Sequence, residues 1–452
     1  MTRLKSAPLL AAALLALGGC AGSAQAQRVV KARDFTDTFG ANAHLHENGY
    51  RDLKAVAGAL RLVGFSHVRC SCTSAADVAA WKELAADARP FFPNGLRADV
   101  LVNGYLNAPG ETLAKQEALI PLLGGTVESV EGPNEINNYE VGRGTHGPTD
   151  LADRTRDYAP NALAWARALY DWRRSTPALS PIRLLGPTIA SGDPKDYAAL
   201  PDVSAYVDSG SVHFYAGNGR QPSGFGGGNF AVLYGWCRKA VAPNKSLAVT
   251  ECGQTTAGRP GQGGCDEATQ AKYMLNQMCD AVAVGADRAY VYQLMDDSAD
   301  GDPTGAGGSE SHFGLFDFKW RPKPAALALA NVKTLLADTS ARFTPRVPAY
   351  HVSGVTQAGA AGDHFSVSKS DGSTFIVVWN EPQVWDPKAN RAVTPPADPV
   401  TVDFGGGDRW YKVYDPLVGA APVAAGHGPR VSVALLGSPL LVKMGAVNSP
   451  IR

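Results

Sequence analysis

The chain has 452 residues, of which 45% are hydrophobic and 19% are charged. This length is enough for one large domain and a second, smaller one, because single hydrophobic cores seldom grow beyond about 250–300 residues. The 42 basic residues balance the 42 acidic ones, so no net field would attract nucleic acid or an anionic membrane. The composition therefore excludes a disordered chain. The balanced charge predicts that the partner is an uncharged molecule and not a nucleic acid.

The N-terminus has the pattern of an export signal. Two basic residues precede the apolar run 7–17, which is too short to span a bilayer but suits the core of a signal peptide. Two processing sites compete: residues 17–20 form a lipobox that would place a lipid on Cys20, and residues 24–26 form an A-x-A site. Residues 1–27 are therefore predicted to direct export to the periplasm, the outer membrane or the medium, with membrane attachment only through a lipid on Cys20.

An oxidising compartment would allow disulfides among the remaining cysteines, which are Cys70, Cys72, Cys237, Cys252, Cys265 and Cys279. The short loop between Cys252 and Cys265 is a natural place for a disulfide. A zinc site is the alternative, but the sequence has no C-x-x-C, and only His67 lies close to Cys70 and Cys72. Disulfides are therefore predicted here, and metal binding by the cysteines is not.

Residues 38–337 alternate short β-rich runs with amphipathic helical stretches, the pattern of parallel βα units. The predicted strands are 38–46, 66–71, 98–103, 127–131, 183–189, 210–215, 246–250 and 288–294. The clearest predicted helices are 52–63, 75–88, 159–174, 269–284 and 324–337. Eight such units favour a (β/α)8 TIM barrel over 34–340, and no G-x-G-x-x-G motif supports a dinucleotide-binding sheet.

The helical period stops after residue 343, beyond a connector with two prolines at 344–348. Six short strands are predicted, at 364–368, 374–379, 400–404, 410–414, 430–435 and 439–443. They indicate a C-terminal β-sandwich domain over 345–452. The segment 28–36 precedes the barrel and could add a strand to this sandwich.

Two glutamates stand at the ends of predicted barrel strands. The fourth strand is followed by Glu-Gly-Pro-Asn-Glu at 131–135, and the seventh ends in Ala-Val-Thr-Glu at 248–251. Since barrel active sites are built from the carboxyl ends of the strands, Glu135 and Glu251 share one mouth. Two carboxylates placed this way can flank a glycosidic bond, one as general acid/base and the other as nucleophile.

The Asn-Glu pair is not decisive by itself, because it recurs at Asn380 and Glu381. That second copy falls inside the predicted sandwich, with too few residues after it to supply further βα units and a partner strand. Position therefore selects Glu135, whose partner Glu251 lies at a strand end of the same predicted barrel.

These two segments resemble signatures of the clan A retaining glycoside hydrolases. Residues 131–135 are similar to the Asn-Glu signature of the fourth strand in that clan, and Thr250-Glu251 to its seventh-strand nucleophile. The resemblance covers residues 34–340, and a barrel followed by a sandwich looks most like family 39, with families 5, 30 and 44 as alternatives. It implies that Glu135 is the general acid/base and Glu251 the nucleophile. It also implies that Asn134 binds the sugar 2-hydroxyl, that Tyr215 orients the nucleophile, and that Arg69 holds Glu251 ionised.

Other polar and aromatic residues at strand ends are predicted to contact the sugar. His44 and His46 end the first strand on the same side, and with no third ligand in view a sugar contact or a structural role is favoured over a metal. His213 precedes Tyr215 on the sixth strand and is taken as a substrate contact. Clan members often carry a tryptophan at the end of the eighth strand, where this chain has Gln293, and Trp320 further on is a candidate for stacking on a sugar.

The acidic loop 296–302 after the eighth strand invites comparison with calcium sites, but it does not match the EF-hand pattern, and a solvated loop is favoured. No metal or cofactor is expected. The sequence thus predicts a retaining glycosidase that acts on a polysaccharide or oligosaccharide. The alternatives are a non-catalytic carbohydrate-binding lipoprotein on the same barrel and a transglycosylase.

Overall fold

The computed structural model describes residues 28–102, 109–137, 158–217, 219–222, 230–257, 264–297, 311–338, 340, 342–346, 348–354 and 363–447. The predicted signal peptide and Cys20 lie outside these residues, so export stays a prediction. None of the helices among the described residues is long and apolar enough to cross a membrane.

A closed barrel of parallel strands forms the larger part of the molecule. After the short strand β1 (Val29–Lys31), its strands are β2 (Phe39–Asn42), β3 (His67–Ser71), β4 (Arg97–Leu101), β5 (Val127–Glu131), β6 (Arg183–Leu185), β7 (Gly210–Phe214), β8 (Leu247–Cys252) and β9 (Ala289–Val291). Their order is β6-β5-β4-β3-β2-β9-β8-β7, and a parallel bridge between Leu185 and Ser209 joins the two ends of this sheet. The predicted (β/α)8 barrel is confirmed.

Nine α-helices of the described residues alternate with these strands, five with bounds within two residues of those predicted and four for which no bounds were predicted. They are α1 (Ala32–Asp37), α2 (Leu53–Val63), α3 (Ala75–Ala88), α4 (Gly110–Leu119), α5 (Tyr158–Ser175), α6 (Pro194–Ala199), α7 (Phe230–Ala240), α8 (Glu267–Val284) and α9 (Pro324–Leu336). Local signals set their ends. Asp52 caps α2 by accepting from the Ala55 N–H, and Gly64 ends it with a φ of 82° that glycine adopts without strain.

The C-terminal strands form two facing antiparallel sheets with a small hairpin. They are β10 (His351–Ser353), β11 (Asp363–Ser368), β12 (Thr374–Trp379), β13 (Trp385–Asp386), β14 (Arg391–Ala392), β15 (Asp398–Asp403), β16 (Arg409–Tyr414), β17 (Ala424–Gly428), β18 (Arg430–Leu435) and β19 (Leu440–Val447). One sheet has the order β1-β11-β12-β19-β16-β17 and the other β10-β15-β18. In the first, β1 pairs in parallel with β11, so the strand before the barrel does join these sheets.

Strand β12 has apolar cover on both faces, which explains why all six of its residues are buried. Ile376 and Val378 belong to the core between the two C-terminal sheets. The alternate residues Phe375, Val377 and Trp379 belong to the large cluster that also contains the barrel core. The period of two along a strand thus assigns one face of β12 to each core.

The predicted disulfides are wrong. All six cysteines outside the first 27 residues are free thiols in buried positions. Cys252 lies in the barrel core with its sulfur 3.6 Å from the carbonyl oxygen of Tyr290. Cys265 instead packs with Tyr273, Val384 and Trp385 in a separate apolar cluster. A short separation in sequence did not bring the two sulfurs together, because each one packs into a different part of the interior.

Candidate active site

The predicted polar residues converge at the carboxyl ends of the barrel strands. Arg69 lies on β3, and Asn134 and Glu135 follow β5 directly. His213 lies on β7 beside Glu251 on β8, and the two residues are paired in the register of these strands. The barrel therefore places one arginine, one histidine and the two predicted catalytic carboxylates around a single mouth, as the strand order requires.

Arg69 is the centre of a buried charge network. Its side chain is only 3% exposed, and every nitrogen of its guanidinium group donates a hydrogen bond. Nε donates to Glu131 at 2.6 Å, and Nη2 donates to Asn134 Oδ1 at 2.7 Å. Nη1 donates to Asn42 Oδ1 at 2.8 Å and to Glu251 Oε1 at 2.7 Å. Burial alone would lower the pKa of Arg69, but Glu131 and Glu251 raise it far above its ordinary value.

Glu251 accepts hydrogen bonds on both carboxylate oxygens. Arg69 donates to Oε1, and the Tyr215 hydroxyl donates to Oε2 at 2.6 Å. Burial and the negative charge of Glu251 raise the pKa of Tyr215 well above 10, so the phenol keeps its proton and remains a donor. These two donors fix the orientation of the Glu251 carboxylate.

Glu135 has different surroundings. Its φ of 41° is in the left-handed region, and Thr188 supports this turn by accepting from the Glu135 backbone N–H at 2.9 Å. Its Oε1 lies 2.9 Å from Nδ1 of His213. A ring nitrogen of His213 and one carboxylate oxygen each from Glu135 and Glu251 all lie within 4.8 Å of one another.

His213 is buried between these two glutamates. Its Nδ1 is 2.9 Å from Glu135 and 3.5 Å from Glu251. Burial alone would lower the pKa of His213, but the charge of Glu251 and the hydrogen bond to Glu135 raise it above 6.5. His213 was predicted to contact the substrate, but the contacts found here are with the two carboxylates.

Glu131 also belongs to the site, although the sequence analysis named it only as part of the motif at 131–135. It is fully buried, and its Oε1 accepts from the hydroxyls of Ser211 at 2.8 Å and Thr250 at 2.7 Å. Its Oε2 accepts from Arg69. The sequence signal for a role of Glu131 was its position at the end of β5. A carboxylate that is buried there requires hydrogen-bond partners of this kind.

An aromatic wall closes one side of the mouth. The ring of Tyr292, just after β9, lies 5.7 Å from Phe313, 6.3 Å from Tyr215 and 5.5 Å from His44, measured between centroids. Tyr292 was not among the predicted site residues, because no motif marks it. Trp320 contacts Tyr50 and Phe316 instead, with centroids 5.8 Å and 6.2 Å away.

Gln293 lies behind this wall and supports it. Its side chain is fully buried, accepts from the Tyr50 hydroxyl at 2.8 Å and donates to Asp297 Oδ1 at 2.8 Å. Both ends of the amide are thus engaged with protein groups. In the acidic loop, Asp296 accepts from Lys323 at 2.8 Å, and residues 298–302 lie outside the described part of the chain.

Metal-ligand geometry occurs in two places among the described residues. The first is the group Glu135, His213 and Glu251, and the second combines His44 and Glu47 with Asp297. In the first group Arg69 already supplies a positive charge to Glu251. The second group stands at the rim of the mouth and was not foreseen from the sequence, because its members come from opposite ends of the barrel sequence.

A further charged group lies at the amino ends of the strands, away from the mouth. His67 uses both ring nitrogens, with Nδ1 2.8 Å from Glu128 and Nε2 3.0 Å from Asp37. Arg288 donates to Glu128 at 3.2 Å. This end of a barrel generally serves stability, and the occupied nitrogens also explain why His67 does not join Cys70 and Cys72 in a metal site.

Solved structures share this fold. A family 39 glycoside hydrolase from the gut symbiont Bacteroides cellulosilyticus WH2 has a TM-score of 0.57 and 15% identity, with 91% of this chain and 82% of that chain covered. The chain has the fold of the clan A glycoside hydrolases. The resemblance expected from residues 131–135 and Thr250-Glu251 is thereby confirmed at the level of the fold.

Two further solved structures are more distant. A β-galactosidase from the Antarctic haloarchaeon Halorubrum lacusprofundi has a TM-score of 0.48 and 14% identity, with 69% of this chain and 60% of that chain covered. GH5_18 from Streptomyces cattleya in complex with GlcNAc has a TM-score of 0.47 and 17% identity, with 72% and 84% covered. No protein-family model and no curated protein matches the sequence.

Proposed function

We propose that this protein is a retaining glycoside hydrolase that cleaves O-glycosidic bonds of a polysaccharide or oligosaccharide by double displacement. The observation that carries the proposal is the pair Glu135 and Glu251, with carboxylate oxygens within 4.8 Å of each other at the mouth of a barrel. Retaining enzymes hold their carboxyl groups about 5–5.5 Å apart, whereas inverting enzymes need roughly 6.5–9.5 Å to admit a water molecule. The short separation supports retention.

The surroundings of the two glutamates support a division of roles. Glu251 receives two hydrogen bonds, from Arg69 and Tyr215, which suit a carboxylate that must be charged and aimed at the anomeric carbon. Glu135 has His213 on Oε1 and suits the proton transfers. In the first step Glu251 forms a bond to the anomeric carbon while Glu135 protonates the leaving oxygen.

In the second step the roles reverse around the glycosyl-enzyme ester. Water attacks the anomeric carbon, Glu135 takes a proton from it, and the bond to Glu251 breaks. While the ester exists Glu251 carries no negative charge. The repulsion that opposes deprotonation of Glu135 is therefore removed, and Glu135 can act as a base. The two displacements return the sugar with its original anomeric configuration.

The test compares Glu251→Gln and Glu135→Gln with wild type on polysaccharides and aryl glycosides. We expect Glu251→Gln to lose at least about 1,000-fold in kcat/KM on every substrate, since the nucleophile is gone. Glu135→Gln should lose a similar factor on unactivated sugars but much less in glycosylation of aryl glycosides whose leaving group needs no proton. Glu83→Gln, on the exposed face of α3, is the matched control and should behave as wild type.

Proton NMR of the first product formed decides the stereochemistry. Retention of the anomeric configuration is expected, and inversion would contradict the double displacement. Wild-type turnover in either glutamine variant would contradict the assignment of these residues. Saccharide binding without any turnover by the wild type would favour the non-catalytic carbohydrate-binding alternative.

A further inference from the structure

The histidines that end the first barrel segment acquire carboxylate neighbours in the folded chain. His44 Nδ1 lies 2.9 Å from Glu47 Oε1, and His46 Nε2 lies 3.8 Å from the same oxygen. Asp297, from the loop after β9, contributes an oxygen that lies within 4.8 Å of the ligand atoms of His44 and Glu47. The ligands that the sequence did not reveal for His44 are therefore present. We call His44, Glu47 and Asp297 the rim cluster; His46 lies beside Glu47 but outside this group of mutually close atoms.

The donor atoms of the rim cluster match a particular class of ion. Imidazole nitrogens combined with carboxylate oxygens suit Zn²⁺ and its first-row neighbours, whereas Ca²⁺ and Mg²⁺ prefer oxygen alone. Ligand atoms around a tetrahedral Zn²⁺ lie roughly 3.3 Å apart, given bonds of about 2.0–2.1 Å. The 2.9 Å between His44 Nδ1 and Glu47 Oε1 is close to that value, and the ligand atoms of all three residues lie within 4.8 Å of one another.

A second observation is the support given to the ligands from behind. Gln293 donates to Asp297 Oδ1 at 2.8 Å and is itself held by the Tyr50 hydroxyl. The His44 ring packs against Tyr50 and Tyr292 with centroids 6.0 Å and 5.5 Å away. Such outer hydrogen bonds and packing are what orient metal ligands in proteins.

There is also room for an ion and its water. A cavity of about 420 Å³ is lined by His46, Glu47, Asp297 and four neighbouring residues. An ion held by side chains at this rim keeps coordination positions open for water or for oxygen atoms of a bound molecule.

We propose that His44, Glu47 and Asp297 bind a divalent transition-metal ion, with Zn²⁺ as the best chemical match, at the rim of the candidate active site. This goes beyond the proposed glycosidase activity, because the double displacement uses no metal. Because the His44 ring packs against Tyr292, an ion held by this cluster would lie beside the aromatic wall and would be available to hydroxyl or carboxylate oxygens of a molecule in the mouth.

The test measures metal binding directly, without any sugar. The full mature chain, stripped with a chelator and dialysed, is titrated with Zn²⁺, Mn²⁺ and Ca²⁺ by calorimetry, and bound metal is counted by mass spectrometry. We expect one Zn²⁺ per chain, with affinity at least about tenfold weaker in His44→Gln and in Asp297→Asn. His351→Gln, which changes an exposed histidine on β10, is the matched control and should bind as wild type.

Co²⁺ provides a spectroscopic readout that mere misfolding would not reproduce. The wild type should give visible absorption bands of a protein-bound ion, altered in Asp297→Asn while thermal unfolding in chelator stays unchanged. The absence of stoichiometric Zn²⁺ binding, equal binding in both variants and wild type, or a preference for Ca²⁺ over Zn²⁺ would each overturn the proposal. Because no step uses turnover, failure here is separate from failure of the proposed glycosidase activity.

Discussion

Arg69 shows at the residue scale how several acids can be held inside one barrel. It contacts Glu131 and Glu251 directly, while Asp99 Oδ2 is 3.9 Å from its Nε. One buried arginine cannot neutralise three carboxylates. Burial, followed by the charge of Glu131, raises the pKa of Asp99 to about 8, so Asp99 holds a proton at neutral pH and the buried charge is reduced.

The protonated state of Asp99 predicts how stability depends on pH. A carboxyl group whose folded pKa is raised from 3.8 to about 8 contributes stability that is fully present below pH 3.8 and lost as the pH rises through about 8. Asp99→Asn removes this loss, because the amide does not titrate. The free energy of unfolding of the variant, relative to wild type, should therefore increase by at least about 1 kcal/mol between pH 5 and pH 9.

Urea unfolding of both proteins across that pH range measures the effect. The other titratable groups contribute equally to both proteins, so their contributions cancel in the difference between the two free energies of unfolding. Asp171→Asn, an exposed position on α5, should show no such trend. A difference between Asp99→Asn and wild type that does not change with pH would contradict a protonated Asp99.

At the scale of elements, the ends of β8 and β9 come unusually close beside the site. Gly253 follows Glu251 by two residues, and a Cβ atom built there would lie 2.2 Å from the carbonyl oxygen of Tyr292. Real Cβ atoms do not approach a carbonyl oxygen so closely. Only glycine lets β8, which carries Glu251, and β9, which leads to the aromatic wall, end side by side.

Gly253→Ala should therefore disturb both stability and the site. Overpacking of this kind costs about 1–3 kcal/mol, and moving the end of β8 shifts Glu251 relative to Arg69 and Tyr215. We expect at least about a tenfold loss in kcat/KM, measured beside the thermal unfolding temperature. Gly235→Ala in α7, where an added Cβ meets nothing within 4 Å, should instead be neutral or stabilising by about 0.5–1 kcal/mol.

At the scale of the whole molecule, the barrel and the C-terminal sheets share an apolar interface. Phe365, Val377, Trp379 and Leu441 from the sheets belong to the same cluster as the barrel core. The pairing of β1 with β11 adds a backbone connection from the segment that precedes the barrel. The sequence predicts separate domains over 34–340 and 345–452. Because they share this apolar interface, each is expected to stabilise the other.

This interface predicts a single cooperative unfolding transition in calorimetry. Trp379→Ala should lower the free energy of unfolding by about 3–5 kcal/mol, because a fully buried indole is replaced by a cavity between the two parts. The exposed Trp410, on β16 and 42% exposed, supplies the matched control, and Trp410→Ala should change stability by no more than about 0.5 kcal/mol. Two well-separated transitions in the wild type would contradict the shared interface.

The sequence alone determined the architecture and the chemical core of the site, because both depend on local periodicity. Strands alternating with amphipathic helices identified the barrel, and the bounds of α3, β5, β12 and β18 match the predicted segments. Strand ends then selected Glu135 and Glu251. The short strands β10 and β17 were missed, since a sequence such as Ala-Ala-Gly-His-Gly in β17 has no alternating apolar pattern.

Only the tertiary structure decided which distant side chains meet. Closure of the barrel sets β2 beside β9, so Asp297 reaches His44 and Glu47 although 250 residues separate them in sequence. The contacts of Glu131, Tyr292 and Gln293 likewise depend on which elements become neighbours when the barrel closes. The separation of Cys252 from Cys265 depends on this too. Periodicity assigns a residue to a face of its own element, whereas contacts between elements arise from how the whole barrel closes and packs.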